Sequence, residues 1–308
     1  MRLITIRTPQ GKAQQVVEIA FKAGIKEAAI SAATTYSSSE NVVLQDVIDI
    51  ETNTPLANKF IDSFMDAPLY DPNSYSFTMR HPESIFSSNH PSKETHPIFR
   101  PTPDVYQELY QFTKVTVSLV GRVFLSAVLL SYGMIENFIP LIISGLLFLP
   151  YHHHMIGISL GSVIREWGFL KQALIALTIS TLLIFTAGVL VGLVSEPPVL
   201  FEIKGSPLVG AILAAVIGVA SALASIDDAG RRELIGLAAT AHISVYPAWI
   251  GLQVGFGETS KKMVEYSYSF GINITILIVA AIITYVLAHS NGKGIRRFIL
   301  KKNEKGNG

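Results

Sequence analysis

Two short stretches hold the side chains best suited to chemistry. In LPYHHHMIGISLGS (residues 149–162), His152, His153 and His154 follow Pro150 inside an apolar run. In AHISVYPAWIGLQVG (residues 241–255), His242 precedes Tyr246 and Pro247. Imidazole can carry a proton, contact a solute or ligate a metal. Successive helical residues point about 100° apart, so three cannot converge on one ion from a regular helix; an unwound segment after Pro150 would allow it. Three readings of the triplet stand open: contact with a substrate or proton, packing or lipid-interface residues, and a metal site. No metal site is assigned, and His152, His153 and His154 are weak candidates for one. His242 is either a hydrogen-bonded core histidine or a partner of the triplet. There is no HExxH pattern and no carboxylate beside the histidines, so no catalytic residue is assigned. The chain has no cysteine, which excludes disulfides and thiolate metal sites. No cofactor is predicted.

The elements that must position these residues are membrane helices. The chain has 308 residues, a net charge of +1 and only 15% charged residues. That balance implies no polyanionic partner and no nucleic acid. Apolar runs fill residues 115–290, and a bilayer span needs roughly 20 apolar residues. Six candidate spans follow, at about 115–133, 138–164, 169–194, 207–226, 234–256 and 268–289. The second is expected to break at Pro150 and the fifth at Pro247. Lys114, Arg165, Lys171, Arg231, Arg232 and the basic tail 291–308 fall on one side, which should be cytoplasmic. The opposite side would hold Lys204 and the pair Lys261 and Lys262. Both termini are then cytoplasmic in a multi-pass protein of the cell membrane. The opening MRLITIRTPQGK is too short in apolar residues for a signal peptide.

Spans one to three and four to six start on opposite sides, as in an inverted-topology repeat. Ile156–Gly161 (IGISLG) and Ile250–Gly255 (IGLQVG) share a pattern in the middle span of each triplet, and Leu-Val-Gly recurs at 119–121 and 208–210. Ser159 and Gln253 occupy matching places. Gly157, Gly161, Gly251 and Gly255 are spaced for close helix packing. Paired breaks near mid-membrane point to a transport path, here Pro150, His152, His153, His154, Ser159, His242, Tyr246, Pro247 and Gln253.

Residues 1–80 read as a soluble α+β domain. MRLITIRTP alternates like a strand, and Val16, Val17, Ile19, Ala20 and Ala23 have helical spacing. Two β-rich runs flank Ser37–Ser39. Asn53 or Thr54, with Pro55, starts a second helix, and SYSFTMR is a last strand. The order β-α-β-β-α-β is the ferredoxin-like pattern. Residues 81–114 read as a linker with His81, His90 and His96, each before proline, and a lead-in helix.

The segments LVGRVFLSAVLLSYGMIENFIPLIISGLLFLPYHHHMIGISLGSVIREWGFLKQAL and AVIGVASALASIDDAGRRELIGLAATAHISVYPAWIGLQVGFG resemble domain-of-unknown-function family 389 of bacterial and archaeal membrane proteins. The resemblance implies a hydrophobic membrane part behind a soluble N-terminal domain, and no substrate. The family commonly carries Ser-Pro and then Met-Gly-Pro in its second span. Here Leu149-Pro150 keeps the first proline, while His152, His153 and His154 replace the second motif. The family's Val-Pro-Pro appears as Val245-Tyr246-Pro247. The chain is therefore expected to be a divergent member.

The expected function is a transporter or channel-like protein for an unknown small solute or ion, acting as a homo-oligomer in the bilayer. The alternative is a membrane-anchored sensor or scaffold that binds a ligand or partner through its N-terminal domain.

Overall fold

The structure is a computed structural model. It describes residues 2–36, 42–72, 74–80, 100–203, 206–227, 232–258 and 261–288, with the side chains at 232–235 and 237 excepted. The histidines of the expected linker, the serine cluster at 37–39, Lys204, Arg231 and the basic tail lie outside the described residues. The chain forms two compact units that divide after Pro103.

The N-terminal unit runs β1 (Arg2–Pro9), α1 (Ala13–Ala23), β2 (Ala29–Tyr36), β3 (Val42–Thr52), α2 (Thr54–Asp66), β4 (Ser76–Arg80). Its strands form one antiparallel sheet in the order β2-β3-β1-β4. Alternation in β1 puts Ile4 and Ile6 on one face, opposite Ile50 and Ile48 of β3, and all four are buried. Val16, Val17 and Ala20 of α1 and Phe60, Ile61 and Phe64 of α2 cover that face. Gly24 ends α1 in a left-handed conformation, which costs glycine no Cβ clash. The Asn53 side chain accepts from the Leu56 amide at 3.0 Å and starts α2.

The second unit is helical: α3 (Thr102–Thr113), α4 (Val117–Ile135), α5 (Ile139–Phe148), α6 (Tyr151–Ile164), α7 (Trp167–Val194), α8 (Pro207–Ile226), α9 (Arg232–Gly255) and α10 (Lys261–Leu287). Among the described residues, five helices are long and apolar enough to cross a membrane, with α5 and α6 taken together as one. Leu174, Leu182, Leu190, Val216, Ile212 and Ile283 lie exposed on their outer surfaces, as lipid-facing residues do.

The expected fifth span corresponds to α9, which is not among the five. It has 24 residues, enough for about 36 Å at 1.5 Å per residue. Its side chains at 232–235 and 237 lie outside the described residues on which the five rest. The two expected helix breaks also part company. Proline disfavours helical backbone in the residue before it, and Leu149 is extended with Pro150 capping α6. Around Pro247, by contrast, α9 runs on without interruption. Proline removes one amide donor, and neighbouring packing holds the helix through that loss.

That packing is a close crossing of α9 on α7. A Cβ on Gly188 would come within 2.6 Å of the Ala248 carbonyl, and one on Gly192 within 2.6 Å of the Leu252 carbonyl. Reciprocally, Gly251 meets the Phe185 carbonyl and Gly255 the Val189 carbonyl. Backbone faces backbone on both sides, as in small-residue helix pairs. We predict that Gly188→Val or Gly251→Val lowers the thermal midpoint of the detergent-solubilised protein, at a cost of about 1–3 kcal/mol. Gly271→Val, where a side chain meets nothing within 4 Å, should leave it unchanged; equal losses at all three positions would contradict the packing argument.

Candidate functional site

Two cavities lie at different levels of the same helices. The larger, about 310 Å³, is lined by α5 (Ile142, Leu146), by Phe201, Glu202, Ile203 and Ser206, by α8 (Val209, Gly210, Leu213) and by α9 (Ala241, His242, Val245, Tyr246). Backbone bonds from Leu200 and Phe201 to the Ile135 and Met134 carbonyls tie residues 200–201 to the end of α4. Ser206 caps α8 by accepting from the Val209 amide, and Pro207 opens the helix.

A polar knot borders this cavity. His242 Nε2 lies 3.0 Å from the Gly210 carbonyl. A carbonyl only accepts, so Nε2 carries the hydrogen and Nδ1 of the neutral ring is the acceptor. Gly210 has no side chain, and the Asn273 amide of α10 stands 3.3 Å from where its Cβ would be. Asn273 Nδ2 donates to the Tyr246 hydroxyl at 3.3 Å. The phenol therefore keeps its own hydrogen for another acceptor. Tyr266 packs edge-on against Tyr246 and Trp249.

The second pocket is lined by α3 (Val105, Glu108, Leu109), α6 (His152, His153, Ile156), α8 (Ser221, Ser225) and Gly236 of α9. Its free volume is about 20 Å³, room for about one water. The rings of Phe112, His153 and His152 stack in series, with centroids 4.0 and 3.7 Å apart. Gly236 is needed here because the His152 ring occupies the space of a side chain. Ser225 accepts from the Tyr285 hydroxyl of α10, since its own hydrogen goes to the Ala222 carbonyl.

The pockets are spaced along shared walls. On α8 the lining passes from Leu213 to Ser221, a rise of about 12 Å. Leu149, Tyr151, Ala214, Ala239 and Ile243 belong to one buried cluster of this unit. They supply an apolar layer on the helices that line both pockets.

The histidine triplet divides. Helix α6 begins at Tyr151 and is regular through all three residues, so the unwound segment that would let the rings converge does not form. His154 is fully buried, with Nε2 3.1 Å from Ser180 Oγ on α7. His152 and His153 turn to α3. Among the described residues, no group of three or more His, Cys, Asp or Glu is placed to hold a metal. His242 joins the other cavity and not the triplet. Pro150, Pro247, Ser159 and Gln253 line neither cavity. Ser159 donates to the Met155 and Ile278 carbonyls, tying α6 to α10. Tyr151 donates to Thr181 Oγ1, whose own hydrogen goes to the Leu177 carbonyl. Gly157 and Gly161 face Phe169, Leu170 and Ala173 near the start of α7, whereas Gly251 and Gly255 face its later part.

Sequence reasoning passed over Gly210, Asn273, Phe112, Glu108, Ser221 and Ser225. Asn273 is a lone amide in the apolar run of α10, and that isolation was a usable signal. The others carry no local signal, because only the fold brings them to a pocket.

These features define a multi-helix membrane protein with a polar crevice. Residues 147–289, from the end of α5 to the end of α10, match the model of the family described as Domain of unknown function (DUF389). The match is consistent with a divergent member of that family. No curated protein and no solved structure matches the chain.

Ser180→Ala should leave His154 Nε2 buried without its partner, at a cost of about 1–3 kcal/mol in unfolding. Ser144→Ala, where the hydroxyl is exposed and bonds its own helix, is the control. Matching thermal midpoints for the two variants would argue against the His154–Ser180 bond.

Proposed function

We propose that this chain is a multi-pass transporter or channel-like protein for a small solute or ion. The observation that carries the reading is the pair of cavities on α8 and α9, one at His242 and one at His152–His153, with buried apolar residues between their levels. A path closed at its middle and lined by polar groups at both ends suits a solute that crosses in stages. Intramembrane histidine, tyrosine and asparagine side chains are costly there, and those that gather beside a cavity are candidates for such a path.

In this reading α9 is a sixth span, and the helices form two inverted halves, α4 to α7 and α8 to α10. The packing supports this. α7 packs on α9 as α10 packs on α6, α4 on α7 as α8 on α10, and α4 on α9 as α8 on α6. Each contact has a counterpart when the halves are exchanged, as a pseudo-twofold arrangement requires. The basic ends, with Lys114, Arg165 and Lys171, face the cytoplasm, which puts both termini there in the cell membrane. The N-terminal unit is a regulatory domain of ferredoxin-like type, supported by its β-α-β-β-α-β order and its antiparallel order β2-β3-β1-β4. The chain works as a homo-oligomer in the bilayer.

Reconstitution into proteoliposomes tests this. Screened against cations, anions and neutral metabolites, the protein should move at least one class. Tyr246→Phe and His242→Ala should each slow that flux by roughly tenfold, the loss expected from one buried hydrogen bond to a solute or wall. Folded protein that moves nothing in the screen would refute the proposal.

A further inference from the structure

Helix α3 is the first element of the helical unit, reached directly from the segment that follows the N-terminal sheet. Val105, Leu109 and Thr113, spaced four apart, form its buried stripe. Val105 and Leu109, with Glu108 beside them, wall the histidine pocket. Thr113 enters the notch left by Gly157, its methyl 3.0 Å from where a Cβ would be. Phe112 lies flat on His153 at 18° between ring planes. Tyr106 and Tyr110 pack on Phe169 of α7. Gln172 of α7 donates to the Tyr110 carbonyl at 3.1 Å and to Thr113 Oγ1 at 3.0 Å. Burial pushes the Tyr106 hydroxyl up to about 12, with Glu166 and Tyr110 adding to the rise. The phenol therefore stays neutral at any physiological pH, and its ionisation does not loosen the seat.

A helix of 12 residues is marginal by itself in water, so its order depends on what it packs against. Of the contacts that hold α3, those of Val105, Leu109 and Phe112 also cover the pocket or one of its lining histidines. The alternative to a seated α3 is a frayed segment and an open pocket. We propose that α3 is a plug that closes the histidine end of the path. The proposal rests on the transport reading for its purpose, while the closure of the pocket is testable without any flux.

The test uses the absence of native cysteine. Ser221 is buried and its hydroxyl has no partner among the described residues, so Ser221→Cys breaks none of the described hydrogen bonds and puts one thiol in the pocket. The full chain in proteoliposomes is treated with a water-soluble maleimide, and the labelling rate is compared with and without Phe112→Ala. Loss of one aromatic stack should speed labelling by up to about tenfold, and flux should rise with it. Gln172→Ala, which removes two bonds at the same end of α3, should do the same and serves if Phe112→Ala does not fold. Labelling that is unchanged in the folded variants overturns the plug. Faster labelling with no flux of any solute keeps the plug and removes the transport reading. Faster labelling with unchanged flux in a protein that does transport overturns control by α3.

Discussion

Inside an apolar slab, a backbone or side-chain polar group without a partner costs several kcal/mol, and that constraint organises the helical unit. The hydroxyls of Ser126, Ser162, Thr178, Thr186, Ser244 and Thr284 each donate to a carbonyl one turn back on their own helix. They need nothing from a neighbour, so their helices behave as apolar rods despite their composition. The α5–α6 junction obeys the same constraint. The Leu149 amide bonds Leu146, and the His153 amide bonds Pro150. Short turns thus recover bonds that the interruption removes. Where the constraint is met only between helices, as at His242, Gly210, Asn273 and Tyr246, polar atoms gather beside a cavity.

That division separates structural polarity from candidate function. His154 and Tyr151 are fully buried and each finds a hydroxyl on α7, so both read as fasteners of α6. His152 and His153, one residue away, stack toward a pocket shared with α3, α8 and α9. Three identical neighbours thus take two roles, because helical rotation presents them to different elements. Glycine works in the same selective way. At Gly210 it admits an amide and offers a carbonyl, and at Gly236 it makes room for an imidazole.

Much of the architecture was legible in the residues. Alternation and turn residues located the four strands, and the apolar runs at 169–194 and 207–226 lie close to α7 and α8. The break at Pro150 was legible because proline constrains the residue before it. Continuity at Pro247 was not, since it depends on packing against α7 that no local pattern encodes. The start of α10 at Lys261, in polar residues, was hidden for the same reason. The site was legible only in part. His152, His153, His242 and Tyr246 were visible as polar residues in apolar runs. Their assignment to two pockets was not, because it follows from contacts with residues on other helices. The docking of α3 had no signature beyond helical spacing. Gly157, Gly161, Gly251 and Gly255 read alike in sequence, yet one pair meets bulky side chains and the other meets glycine.

The crossing of α7 on α9 has a mechanical consequence. Most helix contacts interlock side chains, and sliding them requires several rotamers to change together. Between Gly188, Gly192, Gly251 and Gly255 the surfaces are bare backbone with carbonyls facing Cα atoms. Such a contact has no teeth. It fixes the separation of the two helices while offering little resistance to a small tilt, much as a plain bearing holds a shaft. α9 carries lining residues of both cavities, Gly236 and Ala241 to Tyr246, on the same side of this crossing, so a tilt about it moves both walls in one sense. The two walls are thereby coupled through a contact made of glycines and backbone carbonyls.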